Sequence, residues 1–61
     1  MIKIKFNTNF RTINSIVNSN KLKFPIRIIE RGIIINPEDL EYIERVIELN
    51  CLRVQEVSIL N

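Results

Sequence analysis

The chain opens with apolar residues at every second position: Ile2, Ile4 and Phe6 alternate with Lys3 and Lys5. That period puts three apolar side chains on one side of a strand and two lysines on the other. Asn7-Thr8-Asn9 interrupts the alternation with residue types that serve turns and helix N-termini. Phe10, Ile13, Ile16 and Val17 then follow at helical spacing, with Arg11, Thr12, Asn14, Ser15 and Asn18 on the other side. The pattern predicts a short helix closed by Ser19-Asn20, with Asn20 in the left-handed cap position. The uncharged polar side of this helix is a hydrogen-bonding surface or, more plainly, a product of an Asn-rich composition.

Alternation returns with Leu22, Phe24, Ile26 and Ile28 set against Lys21, Lys23, Pro25 and Arg27, which predicts a second strand. Proline has no N–H for a sheet ladder, so this strand should lie at an edge or break at Pro25. Glu30-Arg31-Gly32 holds the chain's one glycine and marks a hairpin turn. Ile33 to Ile35 form a short, wholly apolar third strand suited to the sheet centre. Asn36-Pro37-Glu38-Asp39 reads as a helix start: an Asn cap, Pro in the first turn and acids beside the positive end of the helix dipole. The helix should run to about Asn50, with Leu40, Ile43, Val46 and Ile47 on one face and Glu38, Glu41, Glu44, Arg45 and Glu48 on the other. Leu52-Arg53-Val54 alternates once more, and the phase shift to Val57 and Ile59 predicts a bulge near Gln55-Glu56.

The resulting order is β-α-β-β-α-β. It predicts a single small α+β domain over residues 1–61, in a two-layer, ferredoxin-like arrangement. Two helices would lie on one face of a four-stranded antiparallel sheet, with the first and third strands central and parallel through right-handed crossovers. The alternative exchanges the same elements between two chains. Sixty-one residues bury only about 60% of the surface the unfolded chain exposes, so a domain of this size often needs reinforcement. One Cys and no His allow neither an internal disulfide nor an ordinary structural zinc site, which leaves self-association as the reinforcing device.

The uncovered face of such a sheet is where function would sit. It should carry Lys3 and Lys5 from the first strand and Lys21, Lys23, Pro25, Arg27 and Ile29 from the second. A two-residue turn adds Ile34 to that face, and a three-residue turn adds Ile33 and Ile35. Charged strand residues are commonly just a wet face, but contiguous exposed isoleucines mark contact surfaces. Ile29 and Ile34 are therefore candidate interface residues. Tyr42 and Leu49 join them as an apolar shoulder of the second helix; packing on the first helix is the plainer account of both.

Net charge is +2, yet residues 1–31 carry seven Lys/Arg against Glu30 alone (+6), and residues 32–61 carry two Arg against six acids (−4). In the expected fold this polarises the molecule, with a basic sheet and an acidic helix. Lys3, Lys5, Lys21, Lys23 and Arg27 form a candidate anion-binding set, with Arg11 nearby. Nucleic acid is the second functional reading, since several phosphate contacts would suit such a face. Against it, Phe6 and Phe24 fall on the core side, leaving no aromatic platform for stacking bases.

Catalytic chemistry finds no foothold. There is no His for acid–base work, Glu41 and Arg45 form an ordinary helical ion pair, and Cys51 reads as a small buried thiol without an activating base. Gly32 stands alone, so there is no glycine-rich phosphate loop. The Cys-x-x-Cys that metal-carrying domains of this element order place in the first loop is replaced by Asn7-Thr8-Asn9. No cofactor, metal ligand or catalytic residue is assigned. With no signal-peptide-like or membrane-length apolar run, the expectation is a cytoplasmic protein. Thirteen Ile and eight Asn with no Ala suggest an AT-rich gene, which fits a phage or mobile-element accessory factor. The functional expectation is a non-enzymatic regulator or inhibitor that self-associates and engages a larger protein.

Overall fold

A computed structural model describes residues 1–60, and the side chain of Phe10, expected on the apolar side of the first helix, falls outside the described residues. The chain forms β1 (Ile2–Phe6), α1 (Phe10–Ile16), a 3-10 turn (Ser19–Lys21), β2 (Arg27–Ile29), β3 (Gly32–Ile35), a second 3-10 turn (Pro37–Asp39), α2 (Leu40–Leu49) and β4 (Val54–Ile59). The fold is small α+β with a four-stranded antiparallel sheet in the order β2-β3-β1-β4.

β1 and β3 are the inner strands, as the sequence pattern implies, but they run antiparallel to each other rather than parallel. Each helical connection steps over a strand: the chain leaves β1 for β2 across β3, and leaves β3 for β4 across β1. The parallel relations therefore fall between strands that are not neighbours.

Register fixes what each face carries. One row across the sheet is Ile28, Ile33, Ile4 and Val57, and the next joins Ile35, Ile2 and Ile59. Ile2, Ile4, Phe6, Ile33 and Ile35 from this face close a core with Ile13 of α1 and Ile43 of α2. The opposite face carries the rows Arg27–Ile34–Lys3–Ser58 and Ile29–Gly32–Lys5–Glu56. Between Lys5 and Phe6 the β1–β4 register jumps from Glu56 to Val54, so Gln55 is the extra residue of the expected bulge.

α1 has seven residues, too few to stand without packing. Asn9 caps it, its Oδ1 accepting from the Thr12 N–H at 3.0 Å. The helix stops at Ile16, with Val17 extended, so Asn20 does not close it in a left-handed conformation. Asn18 instead caps the 3-10 turn, accepting from the Asn20 N–H. The Ser15 hydroxyl donates to the Thr12 carbonyl, so much of the uncharged side of α1 is occupied with local backbone bonds.

The expected second strand over 21–28 shrinks to Arg27–Ile29. The reason is Asp39, whose side chain is 3% exposed. Its carboxylate accepts from the Lys23 N–H at 2.8 Å and the Phe24 N–H at 3.1 Å. Those two donors are thereby taken from any ladder, and the chain joins the sheet only after Pro25. Phe24, expected on the core side, is 42% exposed.

The hairpin has two turn residues, Glu30 and Arg31, since Ile29 pairs with Gly32. Arg31, not the glycine, takes the left-handed conformation (φ 57°). Gly32 is needed for another reason: a Cβ there would run into the Ile4 carbonyl oxygen and lie 3.1 Å from Lys5 Cα.

Asn36 caps the second helical segment by accepting from the Glu38 N–H, and one 3-10 turn leads into α2. The expected apolar face is in place, with Ile43 and Val46 buried and Leu40 and Ile47 half-buried. The Arg45–Glu41 pair forms at 3.6 Å on the exposed side, where it contributes little. Cys51 is exposed, not buried, because α2 ends before reaching it. It holds φ 52° while the Leu52 N–H donates to the Ile47 carbonyl and its own N–H to that of Glu48. This is the helix-ending arrangement in which glycine is favoured. Cys51→Gly is therefore expected to stabilise the fold by about 1 kcal/mol, read as a rise of roughly 4–8 °C in melting temperature.

Candidate functional site

The candidate residues do not form one surface. Lys3, Lys5, Arg27, Ile29 and Ile34 share the face opposite the core, as expected for a two-residue turn. Ile29 and Ile34 are both half-buried there, and Ile34 lies between Lys3 and Arg27. Lys3 is engaged by Glu56 at 3.4 Å. A hydrogen bond from the Ser58 hydroxyl, then the Lys3 ammonium, hold the Glu56 carboxyl below its ordinary range. The basic character of this face is thus partly neutralised from β4.

Lys21 and Lys23 are elsewhere. They line a shallow depression with Glu38, Asp39, Glu41, Tyr42 and Arg45 at the start of α2. The five-residue anion set is therefore divided, and the charge separation expected between a basic sheet and an acidic helix is blunted where lysines meet the acids of α2. Arg11 is exposed on α1.

Tyr42 is half-buried, packs against the core, and accepts the Asn18 N–H through its hydroxyl at 2.9 Å. It ties the segment after α1 to α2, in keeping with the plainer account of this residue. Leu49 is 77% exposed near the end of α2.

The larger apolar exposure lies on the core face itself. Along the row Ile28–Ile33–Ile4–Val57 the inner two side chains are buried, while Val57 on β4 is 61% exposed. Ile59, opposite Ile2, is 79% exposed. These side chains point to the side that carries the core, yet the described residues leave them largely uncovered. Between β4 and α2 runs an open groove of about 380 Å³, floored by Ile2, Ile4, Val57 and Ile59 and flanked by Leu40 and Ile47. Glu44 is the one ionisable residue on its wall.

Sequence reasoning missed Val57 and Ile59 because it looked for function on the uncovered face of the sheet and on a shoulder of the second helix, not on the core side of β4. A usable signal was present: past the bulge, both residues return to the core-facing phase, while a ten-residue helix and a seven-residue helix are short cover for four strands. A second cleft, lined by Val17, Leu22, Phe24, Pro25 and Ile28, separates α1 from the irregular segment before β2.

Among the described residues, no three His, Cys, Asp or Glu side chains gather closely enough to hold a metal ion. No described helix is long and apolar enough to cross a membrane. No family model, curated protein or solved structure matches the chain.

Proposed function

We propose that this chain is a small non-enzymatic binding and regulatory protein that works through protein–protein contacts as a homo-oligomer. Its contact surface is the apolar groove between α2 and β4, carried on a ferredoxin-like arrangement with both helices on the core face. The interface thus moves from Ile29 and Ile34 to Val57 and Ile59. The observation that carries this reading is the exposure of Val57 and Ile59 on the side of the sheet that is otherwise buried. Isolated surface apolar residues need no explanation, but a contiguous groove of them on a small molecule is a contact surface. A 61-residue core also gains most from adding apolar area across such a groove.

Sedimentation equilibrium tests the reading. The wild-type chain is expected to show a mass above that of the monomer as its concentration is raised to about 1 mM, a range suited to a small interface. Val57→Lys/Ile59→Lys should return it to a monomer with its circular dichroism unchanged, because both side chains are already largely in water. Ile29→Lys, on the opposite face, should leave the mass as it was. A monomeric wild-type protein, or an unchanged mass for the double variant, would overturn the proposal.

A further inference from the structure

The geometry points to the occupant of the groove: we infer that a second copy of this chain pairs its β4 antiparallel to β4 of the first, joining two four-stranded sheets into one of eight strands. This rests on the reading that the β4 side is the contact surface, and adds to it a specific backbone pairing.

The first ground is the direction of the backbone groups. The Leu60 N–H donates to the Met1 carbonyl and the Met1 amino group to the Leu60 carbonyl, so these residues form a hydrogen-bonded pair. In an antiparallel ladder such pairs alternate with pairs whose N–H and C=O groups point outward. Lys3–Ser58 and Lys5–Glu56 are then the bonded pairs, and Ile2–Ile59 and Ile4–Val57 the others. β1 obeys the same parity toward β3, where the Phe6 N–H donates to the Arg31 carbonyl. The N–H and C=O groups of Val57 and Ile59 therefore face away from β1, along an edge that no other strand among the described residues pairs.

The second ground is the contrast between the two edges. β2 has three residues, follows Pro25 and carries Arg27, all devices that discourage strand addition. β4 has six residues, no lysine and no proline. Its one charged residue, Glu56, is on the far face and is already paired with Lys3. Only the bulge at Gln55 interrupts the edge, and it lies at the beginning of the strand, away from Val57 and Ile59.

The third ground is self-complementarity. A two-fold axis through Ser58 sets Val57 opposite Ile59 of the other copy, twice, with all four outward groups of each chain bonded. The two Glu56 side chains then stand four residues out of register, about 13 Å apart and beyond the reach of screened repulsion at physiological salt. An axis through Glu56 would oppose the two carboxylates directly, and one through Val57 would set Ile59 against the bulged Gln55. The same axis turns the two α2 helices toward each other above the paired strands. Three strand spacings of about 4.8 Å, about 14 Å in all, separate the two β1 strands there, a gap that two helices about 10 Å across can close. Leu40 and Ile47 of each copy then help cover the other's Ile59.

The contact is small. One side of a molecule measuring 24 × 24 × 17 Å takes about a tenth of its 4535 Å² surface, placing the total near 900 Å², at the low end for specific association. The dimer should be reversible, with a dissociation constant of roughly 10 µM to 1 mM.

Amide hydrogen exchange on the unmodified protein reads the pairing directly. The Val57 and Ile59 amides, free within one chain, should slow by about 2- to 6-fold between 20 µM and 1 mM, following the fall in monomer fraction that this dissociation range sets, whereas Ser58 and Leu60 change little. In a Cys51→Ser background, Ser58→Cys should form an intermolecular disulfide under mild oxidation, because a non-bonded antiparallel pair brings its Cα atoms to about 4.5 Å. A dimeric mass with unprotected Val57 and Ile59 amides and no Ser58→Cys link would overturn the strand pairing and leave the contact surface standing. A monomer at 1 mM would overturn both.

Discussion

Asp39→Ala is expected to cost about 3 kcal/mol of folding free energy, because two backbone donors lose a buried charged acceptor together. The carboxylate grips the Lys23 and Phe24 N–H groups, one oxygen each. Water cannot fully replace it, since the side chain is nearly inaccessible. Its removal releases the segment between the first 3-10 turn and β2, which brings the half-buried Leu22 and Ile26 to the core. Asp39→Asn keeps the volume and one acceptor but turns an NH₂ group toward a donor, so it should cost about half as much. Urea unfolding resolves the difference: with a slope near 1 kcal/mol per molar, Asp39→Ala should lower the midpoint by about 3 M. A loss below about 1 kcal/mol would show that the carboxylate does not anchor this segment. Since a chain of this length has roughly 3–9 kcal/mol in total, the variant should lose between a third and all of its stability.

Gly32→Ala is expected to be of similar severity, about 3 kcal/mol, through overpacking against main-chain atoms that cannot move aside. The Ile4 carbonyl and Lys5 Cα belong to the central strand, so relief would require β1 and β3 to separate. Arg31→Gly, one residue earlier, should do the opposite and gain about 1 kcal/mol by removing a Cβ from a left-handed residue. The two substitutions together decide why the glycine is where it is. A destabilising Arg31→Gly with a harmless Gly32→Ala would mean that Gly32 itself makes the turn. Thermal melting of both variants settles the matter in one experiment.

The elements that were legible in the sequence are those whose local pattern and tertiary role agree. β1, β3 and α2 alternate or cycle as their burial requires, Asn36 and Pro37 mark the start of the second helical segment, and the phase break at Gln55 is a real bulge. The segment 21–28 misled because alternation there is broken by a long-range bond. Asp39 is 15 and 16 residues away from the amides it binds, and in sequence it looks like any acid in a first helical turn. Cys51 misled because one turn of extra helix would have buried it, and the left-handed residue that ends α2 has no glycine to announce it. The relative direction of β1 and β3 depends on which strand each connection steps over, and that is decided by packing. The apolar groove beside β4 was not legible, because the exposure of Val57 and Ile59 depends on how far α2 reaches over the strand, which packing decides.

The place of β1 in the sheet also governs the order in which the molecule can be made. Ile2 has Ile35 on one side and Ile59 on the other, so the earliest of these four strands in chain order is flanked by the third and the fourth. Until residue 59 exists, β1 has one neighbour and the apolar face of the sheet lacks its final column. Contacts so distant along the chain slow the search for the native arrangement. The β2–β3 hairpin and α2 can form early and locally, but β1 waits for β4 before both of its sides are paired. Folding should therefore be late and abrupt, completed when β4 docks.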